Sequence, residues 1–278
     1  MVLCNRRRVE AINSMTILID NKSHLSQFGF RSGHSTVHTA RTIMLEELRI
    51  LFSWVNDEDA LKSHYIKAID IDNCLGKRSD KTRKLTARHL VELYGLDPSI
   101  TLFRAFHYFW KRDEVGQPLL SLLCAYARDT LLQKTAPLIL STSEGKVITR
   151  ESLEEFLEKN DPGRFSPATL KSTAQNLNSS WTKSGHLTGR AKKLRSYVHP
   201  TPGSVAYAFL LGYLCDIRGE MLFETGYTQL LDCSISRSIE LAEDASRRGW
   251  MVFKRIGKVV EMLFPQILTP QEIEWSRE

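Results

Sequence analysis

The chain has 278 residues, 42% hydrophobic and 25% charged, with a net charge of +6 and a pI near 9.0. Apolar content of that order fills a sizeable core and excludes wholesale disorder, the length suits two medium compact units, and a basic excess favours polyanionic partners. The longest apolar stretch, 205–217, is shorter than the roughly 20 residues of a membrane span, and five scattered cysteines form no C-x-x-C pair, so reduced thiols and no metal or cofactor are expected.

At the start, Arg6, Arg7 and Arg8 precede no apolar stretch of the kind a secretory signal needs, so a cytoplasmic protein is expected. Residues 1–32 read as an extension, weakly ordered before Met15, which is itself a candidate start. From 35 to 54, Val37, Ile43, Met44, Leu48 and Leu51 recur at helical spacing and predict a helix; 59–73 predicts a second, with Leu61, Tyr65, Ile66 and Ile69 inward. Ser79 is an N-cap for a third helix over 80–94, which Gly95 and Pro98 end. Helices follow over 99–111, 118–128 and 130–140, the last open to bending or truncation at Pro137. The aromatic run Phe103, Phe106, Tyr108, Phe109 and Trp110 at helical spacing reads as core rather than as a base-stacking platform.

The polar stretch 141–146 is the best linker, which divides the chain into a helical domain over 33–142 and a second domain over 143–278. There a helix over 149–159, the turn Asn160-Asp161-Pro162-Gly163, and a helix over 166–181 capped by Ser166 with Pro167 at its first position lead into a ribbon near 194–198. The plan recurs: a helix over 203–217, a short one near 227–231, a Ser234-capped helix to 248, and strands over 250–256 and 258–264 joined across Gly257. Helix, turn, capped helix and ribbon is the order of a winged helix-turn-helix. The expected fold is therefore mainly α, a helical domain followed by two winged helix-turn-helix units, 149–199 and 203–265, with short β-ribbons.

Between Pro162 and Cys215 there is no Asp or Glu, while Arg164, Lys171, Lys183, Arg190, Lys192, Lys193 and Arg195 supply seven positive charges. Cations that neutralise phosphates release condensed counterions, so such a stretch gives salt-sensitive affinity for a polyanion. Thr169, Ser172, Gln175 and Asn176 on the same helix are short polar groups suited to phosphates and base edges. Lys192, Lys193 and Arg195 would form a wing along the DNA backbone. In the second unit the candidates are Arg237 on the helix and Lys254, Arg255 and Lys258 on the ribbon, diluted by Glu240, Glu243 and Asp244. A third cluster, Lys77, Arg78, Lys81, Arg83 and Lys84, crowds the helix start after Ser79, where backbone N–H groups favour phosphate. Each of these clusters also suits a solvated face.

Enzyme motifs are wanting. The chain has no G-x-x-x-x-G-K-[ST] loop, H-E-x-x-H helix or G-x-S-x-G elbow, and Gly29 to Gly33 reads GFRSG, with the wrong spacing. Asp129, Glu144 and Lys146 make a poor metal-dependent nuclease set, since a predicted helix separates them.

The runs NCLGKRSDKTR over 73–83, FSPATLKS over 165–172 and WTKSGHL over 181–187, with the closing ribbon, resemble in layout the BrxA family of bacterial BREX phage-defence systems over residues 33–265. The resemblance implies duplex-DNA binding without catalysis, alongside partner defence proteins such as a methyltransferase and ATPases. A scaffold that docks protein partners and an RNA-binding protein are the alternatives.

Overall fold

The computed structural model describes residues 25–33, 36–57 and 59–277. The expectations for Met15 and the residues before it lie outside them. The chain is mainly helical, with two small antiparallel sheets.

After a single turn, α1 (Leu25–Phe28), come α2 (Leu45–Trp54), α3 (Lys62–Asp70), α4 (Asp80–Tyr94), α5 (Thr101–Arg112), α6 (Gln117–Tyr126) and α7 (Thr130–Ser141). The cap signals are used as read: Ser79 Oγ accepts from Thr82 N at 3.2 Å, and Gly95 leaves the helix at φ +89°. α7 runs through Pro137 to Ser141, so the proline does not end it. One prediction fails at its front end. Residues 36–44 are not helical, and Met44 stands at φ +51°. Val37 N donates to Asp129 Oδ2 (2.7 Å), Ile43 N donates to Ser180 Oγ (3.0 Å), and His38 O accepts from Asn176 Nδ2 (2.9 Å). Backbone groups committed to side chains of other elements are lost to an i→i−4 ladder, whatever the apolar spacing.

The second half holds α8 (Arg150–Asn160), α9 (Pro167–Lys183), β1 (Leu187–Thr188), β2 (Leu194–Arg195), α10 (Pro202–Leu214), a 3₁₀ turn (Gly219–Glu224), α11 (Gly226–Gln229), α12 (Ile235–Arg247), β3 (Val252–Ile256), β4 (Val259–Leu263) and α13 (Pro270–Trp275). α10 carries no charge and is buried on every face from Gly203 to Leu214, as a helix apolar all round must be. It packs on α5 and α6 of the first half and on α12 of the second. Its N-terminus lies close against Asp113, whose Oδ2 accepts from Gly203 N at 2.8 Å; a Cβ on Gly203 would stand 2.5 Å from that oxygen. The α5 aromatics Phe103, Phe106 and Phe109 are fully buried, as expected of core.

Buried apolar side chains from Leu25 to Leu268 form one continuous cluster that crosses the expected boundary at 142–143. α13, which the sequence reading missed, closes the chain back onto α5. Arg104 Nη2 donates to Glu272 Oε1 at 2.6 Å, and the Phe28 and Trp275 rings meet edge-on at 6.3 Å. The overlooked signal is Thr269-Pro270-Gln271-Glu272, a capping box in which Thr269 Oγ1 accepts from Glu272 N and Glu272 Oε2 accepts from Thr269 N.

Candidate nucleic-acid interface

The basic stretch takes its shape from a bridge between β2 and an extended segment that begins inside the expected linker, 141–146. Gly145 N donates to Arg195 O (2.9 Å), Arg195 N to Lys146 O (2.8 Å) and Ile148 N to Lys193 O (2.9 Å). Residues 145–148 therefore lie antiparallel on the outer edge of β2, while β1 pairs on its other side in the register Leu187↔Arg195 and Thr188↔Leu194. The loop between β1 and β2 is tight: Gly189 sits at φ +93° and a Cβ there would stand 2.2 Å from Lys192 O, so only glycine fits. Lys193 Nζ caps the turn by donating to Gly189 O at 2.8 Å.

This loop, the start of α8 and the middle of α9 wall a cleft of about 450 Å³. Gln175 and Asn178 line it from α9, Arg190, Lys192 and Lys193 from the loop, and Thr149, Arg150 and the carboxylate of Glu151 from the start of α8. Thr149 Oγ1 caps α8 by accepting from Ser152 N at 3.0 Å. Arg150 is held by Glu151 (2.5 Å) and Glu154 (2.8 Å), whereas Arg190, Lys192 and Lys193 form no ion pair with any described residue. Lys171, exposed one turn before Gln175, forms none either. The cleft thus presents a cationic lip above two amides, with Asn178 Oδ1 buried and lacking a hydrogen-bond partner among the described residues.

Other predicted contacts are placed elsewhere. Arg164 Nη1 pairs with Asp161 at 2.9 Å, and its guanidinium stacks over Phe165 at 4.9 Å. Asn176 points to the 36–44 segment through His38 O, and Lys183 Nζ donates to Thr42 Oγ1 at 3.1 Å. Thr169 and Ser172 are half-buried; Thr169 Oγ1 meets the cap hydroxyl of Ser166 at 2.9 Å, and Ser172 Oγ donates to Thr169 O at 2.9 Å. Asn178, three residues beyond Gln175 on the same helix face, takes the place expected of Asn176; the i, i+3 spacing was the available signal.

Arg195 departs most from expectation. Rather than lying along a backbone, its side chain is 1% exposed and pairs with Asp232, 0% exposed, at 2.6 Å. Its other nitrogen donates to His186 O at 3.3 Å and to Ser196 O. His186 beside it is also buried; Nε2 donates to Leu230 O (3.0 Å), so Nδ1 faces the Ser184 hydroxyl (2.9 Å) as acceptor. The cluster ties the base of the first ribbon to the turn that precedes α12.

Burial, then the Arg195 charge, hold the His186 pKa down at about 3 against the pull of the Leu230 carbonyl; burial, then Lys111 and Arg112, hold His107 at about 4. Both rings fold neutral, while in the unfolded chain they take up protons near pH 6.5. Their penalty is absent above that pH and grows as pH falls from about 6.5 towards the folded values, by about 1.4 kcal/mol per pH unit for each ring. The urea midpoint is expected to drop between pH 7.5 and 5, and His186→Gln to shallow that slope by about half. Equal midpoints at both pH values would contradict it.

In the second unit, Arg237 pairs with Glu240 (2.7 Å) and Lys254 with Glu261 (3.3 Å). Arg255 and Lys258 are exposed and form no ion pair with described residues. Around α4, Lys77 pairs with Glu47 (3.3 Å), Arg83 with Asp80 (3.3 Å) and Lys84 with Asp80 (2.9 Å). The Asp80 carboxyl is held below the usual carboxylate range, chiefly by its hydrogen bond from Lys84, and it occupies the helix start where a phosphate would sit. Arg78 and Lys81 remain exposed without a described ion pair.

The interior holds a second constellation that invites a catalytic reading. His38 Nδ1 stands 2.9 Å from Asp129 Oδ2, and His38 Nε2 stands 2.9 Å from Ser180 Oγ. The order Asp, His, Ser is that of a hydrolase triad, which is recognised by geometry. All three residues, however, are at most 1% exposed, and Ser180 Oγ already accepts from Ile43 N and donates to Asn176 O (2.9 Å). Burial pushes the Asp129 carboxyl up, but His38 and the hydrogen bonds from Val37 N and Thr36 outweigh it and leave it below the ordinary value. With no substrate access, the trio clamps the 36–44 segment to α7 and α9. Among the described residues no group of three or more His, Cys, Asp or Glu could hold a metal ion, and no helix is long and apolar enough to cross a membrane.

No protein-family model matches the chain, and no curated protein is similar to it in sequence.

Proposed function

We propose that the chain is a non-catalytic double-stranded DNA-binding protein that grips the duplex through a winged helix-turn-helix formed by residues 130–195. The observation that carries this reading is the cleft: a capped helix, a flanking extended segment and a tight loop set three cations with no ion pair to a described residue, Arg190, Lys192 and Lys193, around the amides of Gln175 and Asn178. The order α7, bridged segment 145–148, α8, α9, β1, loop, β2 supports this reading, in which α9 would be the recognition helix and the loop the wing. On this reading the exposed Lys171 and Gln175 of α9 face the major groove and the wing tracks phosphates. The resemblance of the runs 73–83, 165–172 and 181–187 to the BrxA family extends the proposal to an accessory or regulatory component of a bacterial BREX-type defence system.

The test is a fluorescence-anisotropy titration of a labelled duplex from about 50 to 200 mM salt. Four phosphates neutralised by Lys171, Arg190, Lys192 and Lys193 give a log–log slope of about −3.6. Absence of binding at about 0.1 M salt, with stable co-purification of a partner protein, would replace DNA binding by a scaffold role. Preference for structured RNA in competition would replace it by RNA binding.

A further inference from the structure

We infer that the tip of the second ribbon is a wedge that enters the minor groove of duplex DNA and bends it; this rests on the duplex-DNA reading above. β3 and β4 pair over five residues, ending at Ile256↔Val259. Gly257 and Lys258 form the two-residue loop, with Gly257 at φ +59°, the conformation that a hairpin with glycine at its first loop position needs. The base of the ribbon is anchored: Phe253, Val260 and Met262 are buried, with β3 packed on α12 and β4 on the 3₁₀ turn. Beyond them, every residue from 254 to 259 is exposed, so the last pairs project as a finger.

At that finger's end stand two large apolar side chains, Ile256 at 83% and Val259 at 74% exposed, directly opposite each other across the turn. They contribute nothing to the core, and the turn geometry requires only the glycine. Arg255 and Lys258 flank them without ion pairs to described residues, whereas Lys254 further down is tied to Glu261. An apolar tip between cations that have no ion pair with described residues complements a duplex groove: the cations meet the phosphates on either side and the side chains meet base edges and sugars. The minor groove, about 6 Å wide, opens when β-ribbons place apolar side chains at a base step, which unstacks it and kinks the duplex by roughly 20–90°. The first ribbon carries Arg190, Ala191 and Lys192 at its tip, with no large apolar group, and so contacts the backbone without bending it.

The experiment is end-to-end energy transfer on a doubly labelled duplex of about 30 base pairs, a length over which a bend of this size is resolved, with the full chain at saturating concentration. Wild type is expected to bring the ends together. I256S/V259S should return them to the free-duplex distance, with affinity lowered about tenfold and the salt slope unchanged, because the phosphate contacts remain. Because both side chains face solvent, the thermal midpoint of the double variant should match wild type, which separates loss of the wedge from loss of the fold. Binding without bending, or a bend that survives I256S/V259S, overturns the wedge and leaves the DNA-binding reading standing. Loss of self-association or of a protein contact in I256S/V259S with DNA bending intact overturns it in favour of a protein-docking tip. No binding by wild type removes both.

Discussion

Replacing Arg195 with methionine is expected to cost about 3–5 kcal/mol of folding stability, because it leaves the Asp232 carboxylate buried without its countercharge. The pair is removed from water on both sides, at 1% and 0% exposure, and the guanidinium also serves two backbone carbonyls, His186 O and Ser196 O. Taking both charges away together is milder: Arg195→Met with Asp232→Leu should recover most of the loss, since an apolar pair of similar volume has no desolvation to overcome. Urea denaturation of the two variants measures the difference, and a single variant within about 1 kcal/mol of wild type would show that the pair carries little. The location gives the pair a second consequence. It joins the base of the first ribbon to residues 230–232, just ahead of the Ser234 cap of α12, so it fixes the two candidate DNA-reading units against each other. Amide exchange in the single variant should rise first in β2 and in the turn before α12.

Local signals with a local mechanism were legible in the sequence. Ser79, Ser166 and Ser234 cap the helices they were expected to cap, Gly95 ends α4, and the all-apolar 205–214 run is a buried helix. What failed depended on partners far away in sequence. The apolar spacing of residues 37–44 reads as helix, yet Asp129 and Ser180, 92 and 137 residues distant from the groups they bind, claim that backbone. Residues 141–146 have linker composition, but bridging to a strand needs only backbone groups, and those of Gly145, Lys146 and Ile148 are taken by β2. The cationic stretch shows both outcomes. Freedom from Asp and Glu within 163–214 said nothing of Asp161 just before it or of Asp232, 18 residues beyond its end, which neutralise Arg164 and Arg195. Charge counted along the chain located the cleft but did not show which of its cations are paired with carboxylates from outside the stretch.

That distinction fixes which substitutions test the interface. Reversing Lys192, Lys193 and Arg195 together would unfold the ribbon base through the Arg195–Asp232 pair and report on folding rather than on DNA. Arg190→Glu, Lys192→Glu and Lys193→Glu alter side chains that line an open cleft and have no described ion pair, so the fold has little to lose. Duplex affinity at about 0.1 M salt is expected to fall at least a hundredfold, as three attractive phosphate contacts become repulsive. The milder triple change to glutamine should flatten the log–log salt slope by about 2.7, or 0.9 for each phosphate no longer neutralised. Lys193 also caps the Gly189 turn, so Lys193→Gln alone, compared with Lys192→Gln, separates its phosphate contact from its role in loop geometry. Reversal of Lys77, Arg83 and Lys84 provides the contrast: their charges are already opposed by Glu47 and Asp80, and the affinity should change less than about threefold. Wild-type affinity in the cleft variant, with its fold intact by thermal melt, would remove the cleft from the DNA interface.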